Sequence, residues 1–214
     1  MRKWLCYLSL VVLFTGCKEN SDEFSLYHED GRAKPVVVIT PVIDSTSYEL
    51  PWSLGEEFSD TIVTKLAQNG VLYLPEDNKH HTHISKNPFG TDIEWVKNHY
   101  SNAEFVVFLE LVEHKDVHVK KNEESIDVKL CSHDLNIAMR IRAVDLRGNK
   151  PKVILQELVK DSYYISKNVL HTDYDIIVWG VDEYLSSPMG LAHQSFSKEI
   201  SERISDYILL AKSR

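Results

Sequence analysis

The sequence has little cysteine, glycine or proline, and it has no excess of positive charge. Three cysteines in 214 residues cannot form the dense disulfide framework of a small secreted domain. Eight glycines and seven prolines exclude a low-complexity or collagen-like chain. A formal net charge of -8 argues against a nucleic-acid-binding protein, because such a protein needs a basic surface to neutralise phosphates. The composition is otherwise ordinary for a globular protein, with 43% hydrophobic and 26% charged residues.

The first 17 residues have the pattern of an export signal. An Arg-Lys pair precedes an apolar run from Trp4 to Phe14, which is shorter than the roughly 20 residues that a membrane-spanning helix needs. The run ends in Thr-Gly-Cys17, which resembles the lipobox of bacterial lipoproteins. The resemblance implies that residues 1–16 are a signal peptide, removed by cleavage, and that lipid is attached to the Cys17 thiol. Two alternatives remain, an ordinary signal peptide with an incidental cysteine and an uncleaved anchor.

The lipoprotein resemblance also implies a location and a first partner. A lipid on Cys17 would make a membrane of the bacterial cell envelope that partner. In lipoproteins an Asp after the cysteine often marks retention in the inner membrane, and this chain has Lys18 there, which favours the outer membrane. Residues 17–34 are mostly polar and are predicted to form a lipidated, flexible tether.

Residues 35–214 predict one α/β domain with a single mixed sheet. Five stretches have the apolar or alternating pattern of strands, at residues 35–39, 71–74, 104–112, 135–143 and 152–164. Three stretches have helix-capping residues followed by apolar residues at helical spacing, beginning at Ser53, Thr91 and Ser187. The resulting order is β-α-β-α-β-β-β-α, with three parallel strands, an antiparallel edge pair and helices packed on the sheet. Right-handed crossovers then give the strand order 2-1-3-4-5.

One stretch of this domain resembles a known group of envelope proteins. Residues 36–66 run from a β-branched strand through Pro-Val-Ile-Asp-Ser-Thr and a loop to Phe-Ser-Asp at 58–60 and an amphipathic helix. With the strand order and the lipoprotein start, this stretch resembles the group of the TolB N-terminal domain, LpoB and the CsgG periplasmic domain. The resemblance implies a non-catalytic module that binds or assembles with an envelope protein. The chain lacks the long amphipathic hairpins of the CsgG pore, which argues against a channel.

Histidine is abundant, and two groups of histidines have spacings that could bind a metal ion. The groups are His80, His81 and His83 in a polar loop, and His114 and His118 on either side of Asp116 in a charged hairpin. Neither group has a fixed set of further ligands. Solvated segments therefore remain the favoured interpretation, and no cofactor is expected.

No catalytic motif is present in the sequence. It has no nucleophile elbow, zinc-protease motif, Cys-x-x-Cys pair or phosphate-binding glycine loop. Cys131 and His133 could share a strand face, but nucleophilic catalysis would also need an orienting group and an oxyanion hole. Glu56 and Glu57 precede a predicted helix, where the helix dipole alone explains them. We therefore expect a non-enzyme, with a periplasmic hydrolase or metal-binding enzyme as the alternative.

Two segments carry aromatic residues outside the regular patterns and predict a protein contact surface. One is the loop at residues 47–52, which follows a central strand at the end where open α/β sheets bind ligands. The other is the segment 170–185, which is too apolar for a plain loop and could instead be an edge strand or a flap. Exposed Trp and Tyr side chains anchor interfaces. The residues predicted to contact an envelope partner are Tyr48, Trp52, Tyr174, Trp179 and Tyr184.

Overall fold

The computed structural model describes residues 26–75, 86–118, 132–166 and 172–214. Within these ranges helices and strands do not alternate strictly, because three strands follow one another in the middle of the chain. The elements are β1 (Val37–Ile39), β2 (Ile43–Asp44), α1 (Leu54–Asn69), α2 (Glu94–His99), β3 (Phe105–His118), β4 (His133–Asp145), β5 (Lys152–Ile165), α3 (Asp182–Leu185) and α4 (Pro188–Lys212).

The strands form a single mixed sheet, which confirms the predicted fold class. β1 and β2 lie one after the other along β3 and both pair with it in parallel. β3, β4 and β5 form an antiparallel meander. The strand predicted at residues 71–74 is reduced to one parallel bridge between Tyr73 and Val36. That bridge still puts this segment beside β1, as the predicted strand order requires.

β3 is longer than the sequence pattern predicts, because it continues through the charged residues 113–118. The pairing register shifts between Leu111 and Glu113, and the side chains alternate again beyond this point. His114 then faces the core and is 4% exposed. Glu113 lies on the other face and pairs with Lys160 at 2.6 Å. The prediction that His114 lies in a solvated segment is therefore wrong, whereas β3 and β4 do pair through residues 113–118 as the two strands of a hairpin.

α1 and α4 cover one face of the sheet and enclose the main core. The predicted caps are confirmed: the Ser53 side chain accepts a hydrogen bond from the Glu56 N–H at 3.2 Å, and Ser187 does the same for Gly190 at 3.1 Å. Gly70 ends α1 with a φ of 62°, a left-handed conformation that glycine adopts without strain. The helical residues with 0% exposure in this core are Phe58, Ile62, Leu66, Phe196, Ile200, Ile204 and Ile208.

α2 packs on the opposite face of the sheet, in a smaller cluster. Its capping box, predicted at Thr91, is wrong. α2 begins at Glu94, and Ile93 occupies the N-cap position without a side-chain hydrogen bond. Asp92 instead accepts a hydrogen bond from the Glu94 N–H at 3.2 Å. The buried members of this cluster are Val38, Val96, Tyr100, Val106, Phe108, Val144 and Leu146.

The chain enters the domain at the end of the sheet where α4 finishes. Residues 26–34, which the sequence pattern places in the tether, form a hairpin turn closed by a bridge between Tyr27 and Ala33. The next strand is held there by Glu104, which accepts hydrogen bonds from the Val36 N–H at 3.0 Å and from the Lys212 ammonium at 2.5 Å. Folded structure therefore begins before residue 35.

Several predicted features lie outside the described residues. They are the signal peptide and Cys17, the loop with His80, His81 and His83, and Cys131. In the part of the chain that is described, no helix combines the length and the apolar character needed to cross a membrane.

Candidate functional site

Four segments meet at the carboxyl ends of β1 and β2. They are the loop after β2, the first turn of α1, the segment that includes α3, and the start of α4. We call this the apical end and define it as residues 41–57 and 172–194. All five residues of the predicted contact surface lie in these two ranges. The apical end is therefore the candidate site.

Glu57 holds the apical end together from inside. It lies in the first turn of α1 and is 2% exposed. Trp52, from the preceding loop, donates its indole N–H to Glu57 Oε2 at 2.8 Å. The Tyr184 hydroxyl of α3 donates to Glu57 Oε1, and His193 Nδ1 of α4 lies 2.8 Å from the same oxygen. One carboxylate thus joins a loop and three helices.

The network continues from α4 to the sheet. His193 Nε2 lies 2.8 Å from His114 Nε2 on β3, so one of these nitrogens donates and the other accepts, and a single proton lies between them. The edge of the Tyr48 ring packs against His114, with the ring centroids 4.2 Å apart. His114 Nδ1 is buried and has no hydrogen-bond partner among the described residues. The described chain thus leaves one polar atom of the network unsatisfied.

Burial and hydrogen bonding fix the charge states in this network. Burial alone would raise the pKa of Glu57, but hydrogen bonds from His193, Tyr184 and Trp52 bring that pKa below its ordinary value. Burial lowers the pKa of His114 to about 3, and the charge of His193 contributes in the same direction. Burial, and then the charge of Glu57, raise the pKa of Tyr184. At neutral pH, Glu57 is therefore a carboxylate, His114 is uncharged and Tyr184 keeps its proton.

We expect acid to destabilise the domain through His114. A histidine in the unfolded chain has a pKa near 6.5, whereas His114 in the folded protein has a pKa of about 3. Between these values the unfolded chain binds more protons, so stability falls as the pH drops below 6.5. At pH 4 the loss from this group is about 3 kcal/mol, since one pKa unit corresponds to about 1.4 kcal/mol. Denaturant unfolding at pH 7 and pH 4 measures the loss.

The variant His114→Leu tests the source of this acid sensitivity. It lacks the titrating group, so the difference in unfolding free energy between pH 7 and pH 4 should shrink. The difference should not vanish, because the lowered pKa of Glu57 acts in the same direction. His99→Leu, at an exposed position of α2, is the control and should keep the wild-type difference. An unchanged difference in His114→Leu would show that His114 is not the group that titrates.

One predicted contact residue is not on the surface. Tyr184 is 2% exposed, its hydroxyl is bonded to Glu57, and its ring packs edge-on against Trp52 with the centroids 5.3 Å apart. The prediction that Tyr184 contacts a partner directly is therefore wrong for this structure. Its side chain is buried because Glu57 supplies the acceptor that a buried hydroxyl needs. The other four predicted contact residues are half-buried, namely Tyr48, Trp52, Tyr174 and Trp179.

The most exposed apolar side chains of the apical end are aliphatic. Ile176 is 77% exposed, Val178 is 61% exposed and Leu191 is 57% exposed. Residues 172–185 form turns and α3 rather than an edge strand. The Tyr174 hydroxyl lies 3.4 Å from the Met189 N–H, which fastens this segment to the start of α4. We call the exposed aliphatic side chains of residues 172–194 the apical patch; it comprises Ile176, Val178, Val181, Leu185 and Leu191.

The described members of the second predicted histidine group do not converge on a metal site. His114 faces His193, whereas Asp116 accepts a hydrogen bond from the Tyr48 hydroxyl at 3.1 Å. His133 Nε2 lies 3.4 Å from the other Asp116 oxygen. The side chain of His118, the remaining member, is outside the description. Among the described residues, no group of three or more His, Cys, Asp or Glu side chains could hold a metal ion.

Three solved structures similar to this chain come from bacterial proteins. The hypothetical protein CT253 from Chlamydia trachomatis has a solved structure with a TM-score of 0.63 and 29% identity, covering 82% of this chain and 98% of that one. Lipoprotein GNA1162 from Neisseria meningitidis has a TM-score of 0.39 and 10% identity, covering 61% and 83% respectively. The LpoB C-terminal domain from Salmonella enterica has a TM-score of 0.32 and 11% identity, covering 59% and 82%.

CT253 is the structure among these three whose TM-score exceeds 0.5. No curated protein matches the sequence. One family profile, DUF7499, matches residues 23–212, which is most of the chain. The chain therefore belongs to DUF7499, a family of unknown function.

Proposed function

We propose that this protein is a non-catalytic module of the bacterial cell envelope, anchored by lipid on Cys17, that binds an envelope protein through its apical end. The observation that carries the proposal is the apical patch. Single exposed apolar residues are common on soluble proteins, whereas several in one stretch are typical of contact sites. Ile176 and Leu191, at the two ends of this stretch, are both more than half exposed.

The buried network supports a structural role for the polar residues. Glu57 and His193 are each 2% exposed, and His114 is 4% exposed. A general acid or base must come within hydrogen-bond distance of a reacting atom, and these side chains are sealed from any substrate. Their polar atoms instead bond one another and fix the elements that carry the apical patch.

The N-terminal segment and the apical patch lie at opposite ends of α4, which supports an apical end that faces away from the anchoring membrane. The N-terminal segment enters beside Glu104, at the end of α4. The apical patch lies at the start of α4, and a helix of 25 residues is about 37 Å long. A lipid on Cys17 would hold the opposite end of the domain at the membrane. Lys18 favours the outer membrane under the sorting pattern of lipoproteins.

We expect radiolabelled palmitate to enter the wild-type protein and not the variant Cys17→Ala, because acylation in lipoproteins depends on the modified cysteine. Labelling in cells followed by immunoprecipitation measures this. Cys6→Ala, within the predicted signal peptide, is the control and should keep the label. Equal labelling of Cys17→Ala and wild type would contradict the lipid anchor.

We expect the double variant Ile176→Ser/Val178→Ser to lose crosslinking to the envelope partner in cells. Truncating an interface anchor typically costs about 2 kcal/mol of binding free energy. Because both residues are exposed, the thermal midpoint should stay near that of the wild type. Leu158→Ser on β5, where Leu158 is 59% exposed, is the matched control and should keep the crosslink. If the double variant crosslinks as well as the control does, the apical patch is not the contact.

A further inference from the structure

We infer that the partner of the apical end presents a cationic amphipathic segment, in which Lys or Arg residues flank apolar ones. The inference rests on the proposed function and names the chemistry of its partner. The apical end exposes apolar and acidic side chains in the same segments of the chain, and each of these features requires its own counterpart.

The surface of the apical end is acidic and lacks basic side chains. Neither of its two ranges, 41–57 and 172–194, contains a single Lys or Arg. Its exposed acidic residues are Asp44, Glu49, Glu56, Asp173, Asp175, Asp182 and Glu183. The apical end therefore carries a concentrated negative charge, which attracts a cationic partner from a distance.

Many acidic residues elsewhere on the domain are paired, although others, such as Asp60, Glu94 and Asp206, form no ion pair within the described ranges. Glu110 pairs with Arg140 at 2.7 Å, and Glu104 pairs with Lys212 at 2.5 Å. Other pairs of this kind join Glu113 to Lys160 and Glu157 to Arg203. None of the seven exposed acids of the apical end forms an ion pair with another residue in the described ranges. The negative charge of this end is thus uncompensated within the described chain.

The acids alternate with the apolar residues along the chain. Asp175 directly precedes Ile176, and the pair Asp182 and Glu183 lies between Val181 and Leu185. A partner that covers the apical patch must therefore also cover or approach these carboxylates. Burying an unpaired carboxylate is strongly unfavourable, so a purely apolar partner gains little from this surface. A partner with flanking cations gains both apolar burial and charge pairing.

The same charges disfavour two other occupants. A second copy of this chain, joined through a two-fold contact, would bring one acidic apical end against another. A membrane surface rich in anionic lipids would also repel it. The observations thus favour a protein segment with positive charge, and the other occupants become outcomes of the test.

Model peptides test the inference directly. The probe is a fluorescein-labelled helical peptide with a Leu face and a Lys face. Two matched peptides replace Lys with Glu or Leu with Ser. Fluorescence anisotropy with the purified full chain at low and moderate salt gives the affinities. We expect the Lys/Leu peptide to bind at least about tenfold more tightly than either matched peptide, with affinity falling as salt rises.

Two variants localise the binding. Asp182→Asn/Glu183→Gln should weaken binding of the Lys/Leu peptide severalfold and flatten its salt dependence, and Ile176→Ser/Val178→Ser should weaken it at least as much. Asp206→Asn/Leu210→Ser removes one exposed acid and one exposed apolar residue near the other end of α4, and it should bind like wild type. Equal binding by all three variants, or tighter binding of the Glu/Leu peptide, would overturn the inference. Dimerisation or anionic-vesicle binding that is lost in Ile176→Ser/Val178→Ser would overturn it in favour of that occupant.

Crosslinking in cells separates failure of this inference from failure of the proposed function. If crosslinking is lost in Ile176→Ser/Val178→Ser but undiminished in Asp182→Asn/Glu183→Gln, the partner binds the apical patch without using the acids. The proposed function then holds and the cationic partner is wrong. If Ile176→Ser/Val178→Ser crosslinks normally, the proposed contact itself is wrong. Loss in both variants, with the Asp206→Asn/Leu210→Ser control intact, supports both.

Discussion

Glu57→Ala is expected to lower the free energy of unfolding by about 3–5 kcal/mol, because it leaves several buried polar groups without their acceptor at about 1–3 kcal/mol each. The variant removes the acceptor of the Trp52 indole N–H and the Tyr184 hydroxyl, and it removes the carboxylate beside His193. All these groups would remain in the buried network without their partner. Urea unfolding followed by circular dichroism measures the change.

The neighbouring residue provides a matched control for Glu57→Ala. Glu56 lies in the same helical turn but is exposed, so Glu56→Ala should cost no more than about 1 kcal/mol, the range of a helix-dipole interaction. Tyr184→Phe should fall between the two, at about 1–3 kcal/mol, because it removes one buried donor and keeps the ring. Equal losses for Glu56→Ala and Glu57→Ala would show that the buried network does not hold the apical end.

Gly190→Ala is expected to destabilise the domain by about 3 kcal/mol or more, the upper range for an overpacked core. A Cβ atom at this position would overlap the Tyr184 carbonyl oxygen, and it would lie 2.9 Å from the Tyr184 carbonyl carbon and 3.2 Å from Ser187 Oγ. The backbone at the end of α3 would have to move away from α4. Unfolding measurements give the loss of stability, and partner crosslinking in cells should fall as the apical patch loses its support.

Gly190→Ala is informative because a loss of stability is the opposite of what this substitution normally causes in a helix. Replacing glycine by alanine inside a helix normally stabilises it by about 1 kcal/mol, so a loss must come from the contact with α3. Gly148→Ala is the control, because its added Cβ would meet nothing nearer than the Lys150 carbonyl oxygen at 3.5 Å. That variant should change stability by less than about 0.5 kcal/mol. A neutral or stabilising Gly190→Ala would contradict the close packing of α3 on α4.

The parts of the fold that depend on local chemistry were predictable. Ser53 and Ser187 cap their helices because a side-chain oxygen must satisfy a backbone N–H at that point, whatever the tertiary context. The helix cap predicted at Thr91 is wrong, because residues of the capping type can precede a helix without making the capping hydrogen bond. Here the helix begins at Glu94, three residues after Thr91. The extension of β3 was not predicted, because the register shift near Leu111 changes which side chains face the core. The charged residues on either side of His114 also indicated an exposed segment.

The candidate site was only partly predictable. The position of the apical end followed from the sheet topology and from aromatic residues outside the regular patterns. The buried network could not be predicted, because Glu57 and His193 are separated by 136 positions and neither has a local signal. Tyr184 was placed on the surface because a Tyr ring suits an interface and a core equally well, and only the position of Glu57 decides between them. The exposure of Ile176 and Val178 likewise depends on tertiary packing, and the spacing of apolar residues along the sequence does not reveal it.

Site-specific photo-crosslinking tests the central claim most directly. A photoreactive amino acid replaces Val178 of the apical patch, or Leu210 near the other end of α4, in the full chain expressed in its native cells. Both positions are exposed, at 61% and 52%, so they differ in location rather than in access to solvent. We predict one discrete protein adduct from position 178 and none from position 210. No adduct from position 178, or the same adducts from both positions, would contradict the claim that the apical end is the contact surface.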